Sequence, residues 1–568
     1  MNTQVDEPVV PSSGGRAGAA SRRWALAFGA IAVLYLVGVV DAWYPTPDSA
    51  LYQGLGRNLI AGRGCVFNGR GDTTVTPGLP AISGWIERFA GPDAFWAKNL
   101  LMCLCGLVGL ALAHAALRRM VDPQLALAAV AATALTTVYY HHSHLILTDA
   151  PFAMLFWAIV YCSLRAAGGS WAWLPAVAGL CAAAILIRMP ALTILGPLAV
   201  AFALQKRAGR DTPLTPCFRE RHADGWPPAK RLAVAGVILV SIVAATVGFL
   251  VVIRATPDQS SGYAVVHLVK GRGLLSRLGQ FGPMLIKLPE TLGELVTGRQ
   301  GWWVWLAGWP LLALTAAGLV RLWRRGLRMP AVVIVLSVLA MALAAGIIAA
   351  KARYYMSMLP LIALALLEGL AAWAQWRAKR RGGELAPRTR GRIVALAVVA
   401  VAVVNAPFLA RATIYETSLA RRGRYHQAIA GGAYADLYPA AEFLADHTQP
   451  GQTILARWDR TRMMHLLTGR IIQPMYSFGI NHPWNAEQAE LAYRKVLARP
   501  AFDWLVHDTG ELDARYADRL TQLLDATGGL SLAWPGDGGK IRIYRRRGAL
   551  TAPATSAAAD PNTARPTH

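Results

Sequence analysis

Long apolar runs alternate along this chain with short polar, mostly basic, interruptions. A bilayer's hydrocarbon core, about 30 Å thick, takes roughly 20 mainly apolar residues as helix. On that measure about eleven runs qualify, starting near Trp24, Lys98, Leu125, Pro151, Trp171, Ala191, Leu232, Trp302, Ala331, Tyr355 and Ile393. The stretch from Trp171 to Leu204 is interrupted by Arg188-Met189-Pro190, and a proline cannot continue the helical hydrogen-bond ladder. Two short helices meeting at that break are therefore expected. After Arg411 the pattern changes to an amphipathic stretch Tyr434–Asp446, a strand Thr453–Ala456, a helix Asn485–Leu497 and a strand Trp504–His507. A helix Ala514–Ala526 and a hairpin-like pair, Leu530–Trp534 and Lys540–Tyr544, complete it. No internal repeat is visible.

Composition narrows the class. Only 16% of the 568 residues are charged, against about 25% in soluble domains. An ordinary soluble enzyme and a mainly disordered chain are both excluded. The formal charge of +25 sits in clusters between apolar runs, not on a nucleic-acid-binding surface. Arg16, Arg22 and Arg23, then Arg118-Arg119, Arg165, Lys206 to Arg231, Arg321 to Arg328 and Arg377 to Arg392 all fall on one side of the alternation. The loop His141-His142-Ser143-His144 on the other side holds no Lys or Arg. Positive charge marks cytoplasmic loops, so the N-terminus is placed inside and the C-terminus outside. No small-residue cleavage site follows the first run, which reads as an uncleaved anchor. The expected layout is a cytoplasmic tail at 1–23, a transmembrane module at 24–410 with an outer loop at 41–97, an outer α/β domain at 411–548, and a disordered Ala/Thr/Pro-rich tail at 549–568. Four of six cysteines lie in apolar runs. Cys65 and Cys217 fall on opposite sides of the membrane, so no disulfide framework or zinc spacing emerges.

Ionisable residues at membrane depth are costly and mark function. Here they gather toward the outer side. Asp48 lies in the first outer loop, Asp149 opens the fourth run, Arg188 ends the fifth, and Lys351, Arg353, Tyr354 and Tyr355 fill an outer turn. Cations of this kind bind phosphate, arginine bidentately, and a carboxylate can take the proton of an attacking hydroxyl. Blander roles compete. Asp149 can be a helix cap ahead of Pro151, Asp48 a turn residue, and Lys351 and Arg353 snorkelling anchors. Asp41 and Asp72 are rival outer carboxylates. His141, His142 and His144 suit either a metal or, more simply, the membrane interface. Trp302, Trp303, Trp305 and Trp309 read first as an interfacial belt and second as a sugar-stacking surface.

These residues resemble a family. Asp48-Ser49-Ala50-Leu51-Tyr52, then Asn58 to Gly64, then Thr76-Pro77-Gly78-Leu79-Pro80 look like the first outer loop of the polytopic GT-C glycosyltransferases. The likeness is to the bacterial branch of aminoarabinose transferases, lipopolysaccharide-core sugar transferases and protein O-mannosyltransferases. It continues through Leu147 to Pro151, Ile187 to Pro190, and Ala352-Arg353-Tyr354 ahead of Leu359-Pro360. The segment Ala440–Ala456 with Thr468-Gly469-Arg470 is similar to that branch's outer domain, so the resemblance runs from Trp24 to Arg547.

The resemblance implies a GT-C-like membrane module with a periplasmic α/β domain, in a bacterial inner membrane. It implies Asp48 as catalytic base, Asp149 as the second acidic position, and Arg353 and Tyr354 on the donor side; the chemistry of the cations themselves adds Arg188 and Lys351 on the donor phosphate. Where the family often has a second acid directly after the first, this chain has Ser49. That argues against an obligatory metal and names no certain cofactor, while leaving room for a divalent ion. The expected reaction is an inverting transfer of a sugar from a polyprenyl-phosphate donor to a lipid, glycan or protein acceptor at the outer face, without nucleic acid. A flippase for lipid-linked anions would instead show repeats and midplane charges. A ligase using lipid-diphosphate oligosaccharide is a third reading, and a non-catalytic envelope-assembly protein a fourth.

Overall fold

Each predicted apolar run is helical in the computed structural model, which describes residues 14–72, 75–205, 227–254, 274–299, 301–345, 351–429, 434–475, 486–498, 502–509, 514–536 and 540–547. The basic stretch 206–226 with Cys217 and the tail 549–568 lie outside the described residues.

The helices are α1 (Gly14–Val37), α2 (Pro47–Ile60), α3 (Gly78–Ala90), α4 (Phe95–Leu117), α5 (Pro123–Ala134), α6 (Thr137–His142), α7 (Asp149–Ala167), α8 (Leu174–Ile187), α9 (Leu192–Leu204) and α10 (Pro228–Arg254). They continue with α11 (Leu274–Thr297), α12 (Trp302–Arg324), α13 (Met329–Ala345), α14 (Leu359–Arg380) and α15 (Pro387–Ala410). Among the described residues, six helical stretches are long and apolar enough to cross a membrane: Phe95–Leu117, Asp149–Ala167, Pro228–Phe249, Trp302–Arg324, Ala352–Arg380 and Pro387–Arg421. Five shorter apolar helices accompany them. The break at Arg188-Met189-Pro190 is where the pattern put it. Arg188 is extended, Met189–Ala191 makes one 3-10 turn, and α9 follows.

Two amphipathic helices go beyond the predicted pattern. One is α3, whose Ile82, Trp85 and Phe89 are exposed while Leu79, Ser83 and Glu87 are buried. Its inner face is held by charge: Glu87 takes Lys98 Nζ at 2.6 Å and Arg57 Nε at 2.6 Å. Glycines bring α2 and α3 together, since a Cβ on Gly84 would lie 2.3 Å from the Gly56 carbonyl oxygen. The other is α11, in the segment between α10 and α12.

Beyond α15 the helix widens into a π-turn, Arg411–Glu416, before the strand-rich part begins. There α16 (Leu437–His447), α17 (Trp458–Thr468), α18 (Ala486–Leu497) and α19 (Ala514–Asp525) flank a five-stranded sheet. A hairpin of two-residue strands, β1 (Val66–Phe67) and β2 (Arg70–Gly71), lies earlier, between α2 and α3. The sheet strands are β3 (Ile454–Ala456), β4 (Ile472–Pro474), β5 (Trp504–Asp508), β6 (Leu530–Trp534) and β7 (Ile541–Arg546), in the order β4-β3-β5-β7-β6. Pairing of β3 with β4 and β5 is parallel, and that of β7 with β5 and β6 antiparallel.

Strand side chains alternate between faces, so this sheet has two cores. Leu455, Leu505 and Tyr544 pack with Tyr493, Leu520 and Leu524 of α18 and α19. Ile454, Val506 and Ile543 pack with α16 and also with Trp43, Ala50 and Ile146 of the helical module. The sheet is thereby fixed to one end of the apolar helices.

Candidate active site

The first carboxylate is placed by helix capping. Thr46 and Ser49 form a reciprocal capping box, Pro47 occupies the first turn, and Trp43 Nε1 donates to Ser49 Oγ at 2.9 Å. Ser49 is 1% exposed and spent on this scaffold. Asp48 beside it keeps a third of its side chain exposed. Asp149 opens α7 with its side chain 3% exposed. Its carboxylate is held by Arg188 Nη1. A buried carboxylate needs such a partner, because leaving one unpaired costs on the order of several kcal/mol in lost solvation. Arg188 can reach inward because the chain is extended at the break that ends α8.

The third component is a 3-10 segment, Ala352–Met358. Arg353 Nη2 lies 3.2 Å from Asp48 Oδ2. Tyr354 sits between cations, with Arg188 Cζ 5.2 Å and Arg353 Cζ 5.4 Å from its ring centroid. The Nε–H of Arg353 is buried and has no hydrogen-bond partner among the described residues. Asp48, Asp149, Arg188, Arg353 and Tyr354 thus meet at one place. Lys351 immediately precedes that segment, but it is exposed and makes no ion pair among the described residues.

Three further residues join that sequence reasoning did not single out for the site. Arg462, from α17, places Nη1 3.5 Å from Asp48 Oδ1. Tyr52, four residues after Asp48, hydrogen-bonds Thr148. Burial first, then the Asp48 charge, raises its phenol well above the ordinary value, so it stays protonated. His142 is held below its ordinary value by burial, which the nearby Asp149 opposes. Its Nδ1–H donates to the Val138 carbonyl at 2.9 Å, leaving Nε2 as an acceptor. The i, i+4 spacing of Asp48 and Tyr52 was a usable signal. Nothing local in the sequence points to Arg462.

Other candidates from the sequence have other work. Asp41 accepts the Trp96 backbone N–H at 2.8 Å. His144 bonds the Tyr140 and Tyr35 carbonyls, and His141 lies edge-on to Tyr44. Trp302, Trp303 and Trp309 are exposed on α12, as an interfacial belt requires. Among the described residues no three His, Cys, Asp or Glu side chains gather as a metal ion needs. Asp48 and Asp149 are each engaged by guanidinium, so this donor set does not suit a divalent ion. Three guanidiniums against two carboxylates leave the cluster net positive, suited to an anion.

Known proteins share this architecture. Residues 76–217 match the family described as dolichyl-phosphate-mannose-protein mannosyltransferase. The structure of ArnT from Cupriavidus metallidurans bound to undecaprenyl phosphate superposes with a TM-score of 0.51 at 15% identity, over 93% of this chain and 99% of that one. The archaeal oligosaccharyltransferase AglB from Archaeoglobus fulgidus, in complex with an inhibitory peptide and a dolichol-phosphate, gives 0.50 at 13% identity over 93% of this chain and 75% of that one. Among proteins of curated function none matches by sequence. At such identities the likeness is one of fold.

Proposed function

We propose that this chain is a multi-pass membrane glycosyltransferase of the GT-C kind, which moves a sugar from a polyprenyl-phosphate donor to an envelope lipid, glycan or protein. The observation that carries the reading is the pairing of Asp48 with Arg353 and of Asp149 with Arg188 around one tyrosine ring, beside a buried, unpartnered Arg353 Nε–H. Such a donor is a ready hydrogen-bond partner for a phosphate oxygen.

In this reading the donor phosphate lies against Arg188 and Arg353, with Lys351 approaching from the water side. The acceptor hydroxyl attacks the anomeric carbon from the face opposite the phosphate. The new C–O bond forms as the bond to phosphate oxygen breaks, the electron pair leaving on the polyprenyl phosphate. Asp48 takes the hydroxyl proton. A single displacement inverts the anomeric centre. Asp149 holds Arg188 in place, and the Tyr354 ring lies against both guanidiniums. The basic-loop alternation supports a site on the periplasmic face of a bacterial inner membrane, with the N-terminus cytoplasmic. Nucleotide sugars stay in the cytosol, so a lipid carrier is implied.

Asp48→Asn tests this. It should abolish transfer from labelled polyprenyl-phosphate sugars while membrane insertion and abundance remain normal; turnover that survives would remove Asp48 as the base.

A further inference from the structure

Asp48 has a cation on each oxygen, and the two come from different parts of the chain. Oδ2 faces Arg353 at 3.2 Å, from the helical module, and Oδ1 faces Arg462 at 3.5 Å, from the sheet-bearing part. Arg462 is no loose surface side chain, because α17 is pinned at both flanks. Arg460 forms a buried pair with Asp508 on β5. Three residues after Arg462, on the same helix face, His465 Nε2 accepts the Asn68 backbone N–H at 3.0 Å. Asn68, at the left-handed turn of the β1–β2 hairpin (φ 53°), also donates Nδ2 to the Ile472 carbonyl at 2.6 Å and accepts the Ile472 N–H at 2.9 Å. The helix thus presents Arg462 to Asp48 from a fixed platform.

We infer that Arg462 is a positioning residue that sets transfer over hydrolysis. The inference rests on Asp48 acting as base. With both oxygens occupied, the carboxylate is a poor proton acceptor for a stray water. An acceptor that brings its hydroxyl up to Asp48 displaces the weakly held guanidinium and frees Oδ1 for that hydroxyl; a water molecule does not. The side reaction held back is a balanced one. Water oxygen bonds to the anomeric carbon, the bond to phosphate breaks with its electrons leaving on the polyprenyl phosphate, and the water proton passes to Asp48. At 3.5 Å and partly exposed, the Arg462 pair is weak enough to open on binding, with a bias of about fivefold at most.

The test uses the full chain in lipid nanodiscs with sugar-labelled polyprenyl-phosphate donors. Free sugar released without acceptor and label incorporated into envelope extract are both measured. Arg462→Ala should raise free-sugar release about fivefold and lower the transfer-to-hydrolysis ratio at least as much. Arg462→Lys should restore most of the ratio, and Asp48→Asn combined with Arg462→Ala should return release to background. Release that is unchanged, or that falls together with transfer, overturns the role. Transfer that survives Asp48→Asn alone would instead overturn the base assignment, so the two failures are distinguishable.

Discussion

Replacing Arg188 with Met leaves Asp149, 3% exposed, without its principal counter-charge. Removing one member of a buried ion pair costs about 3–5 kcal/mol. Arg353 also interacts electrostatically with Asp149 and stays behind, so the lower end, about 3 kcal/mol, is expected here. Asp149→Asn strands Arg188 in the same way. The double variant has neither charge and should recover about 2 kcal/mol of the summed losses, within the range of measured coupling between contacting residues. Unfolding of the purified full chain in detergent, followed by denaturant titration of all four proteins, closes the cycle. Binding of undecaprenyl phosphate, read by native mass spectrometry, separates stability from function. The double variant should regain stability yet bind the lipid phosphate at least tenfold more weakly, since a charge-assisted hydrogen bond of about 1.5–3 kcal/mol is gone. If Arg188→Met unfolds with the wild type, the pair does not compensate a buried charge. If the cycle is additive, the two side chains do not act as a pair.

Tyr354 contributes its ring to two cations, so Tyr354→Phe should keep donor affinity while Tyr354→Ala should raise the donor KM about tenfold, from two contacts of about 0.5–1 kcal/mol each. Equal loss in both variants would point to the hydroxyl instead. His507, fully buried between Tyr493 and Thr521, is lowered by burial to about 4. Its folded form therefore binds fewer protons than the unfolded chain below pH 6.5, so stability is unaffected above that value and falls as pH drops toward 4, by about 3 kcal/mol at most. Thermal melts from pH 7 to 4.5 should show this slope in the wild type and a shallower one in His507→Gln; parallel slopes would refute it.

Much of the helical framework was readable because bilayer thickness fixes run length and proline fixes the break, and both signals are local. The chain bends at Arg188 where Pro190 forbids a continuous helix, and that bend is what turns a guanidinium inward. The amphipathic α3 escaped notice because its apolar stripe is short and its buried face carries Glu87, a residue that reads as surface until Lys98 and Arg57 are seen beside it. Asp149 and Asp48 stood out as charges near apolar runs. Arg462 did not, since one arginine in a polar helix is ordinary. Its significance lies in the docking of Asn68 against Ile472, residues 404 positions apart, which no periodicity encodes.

The core shared by Trp43, Ala50 and Ile146 with Leu437, Ile454 and Val506 imposes an order on biogenesis. While the chain is being synthesised, the early residues of that cluster wait, bare of their covering, until several hundred later positions have emerged and folded over them. A polypeptide shortened ahead of α16 would keep its apolar helices but display an oily scar at one end of them. Chaperones and proteases that patrol for such surfaces would thus check completion of the whole polypeptide by the state of that one seam.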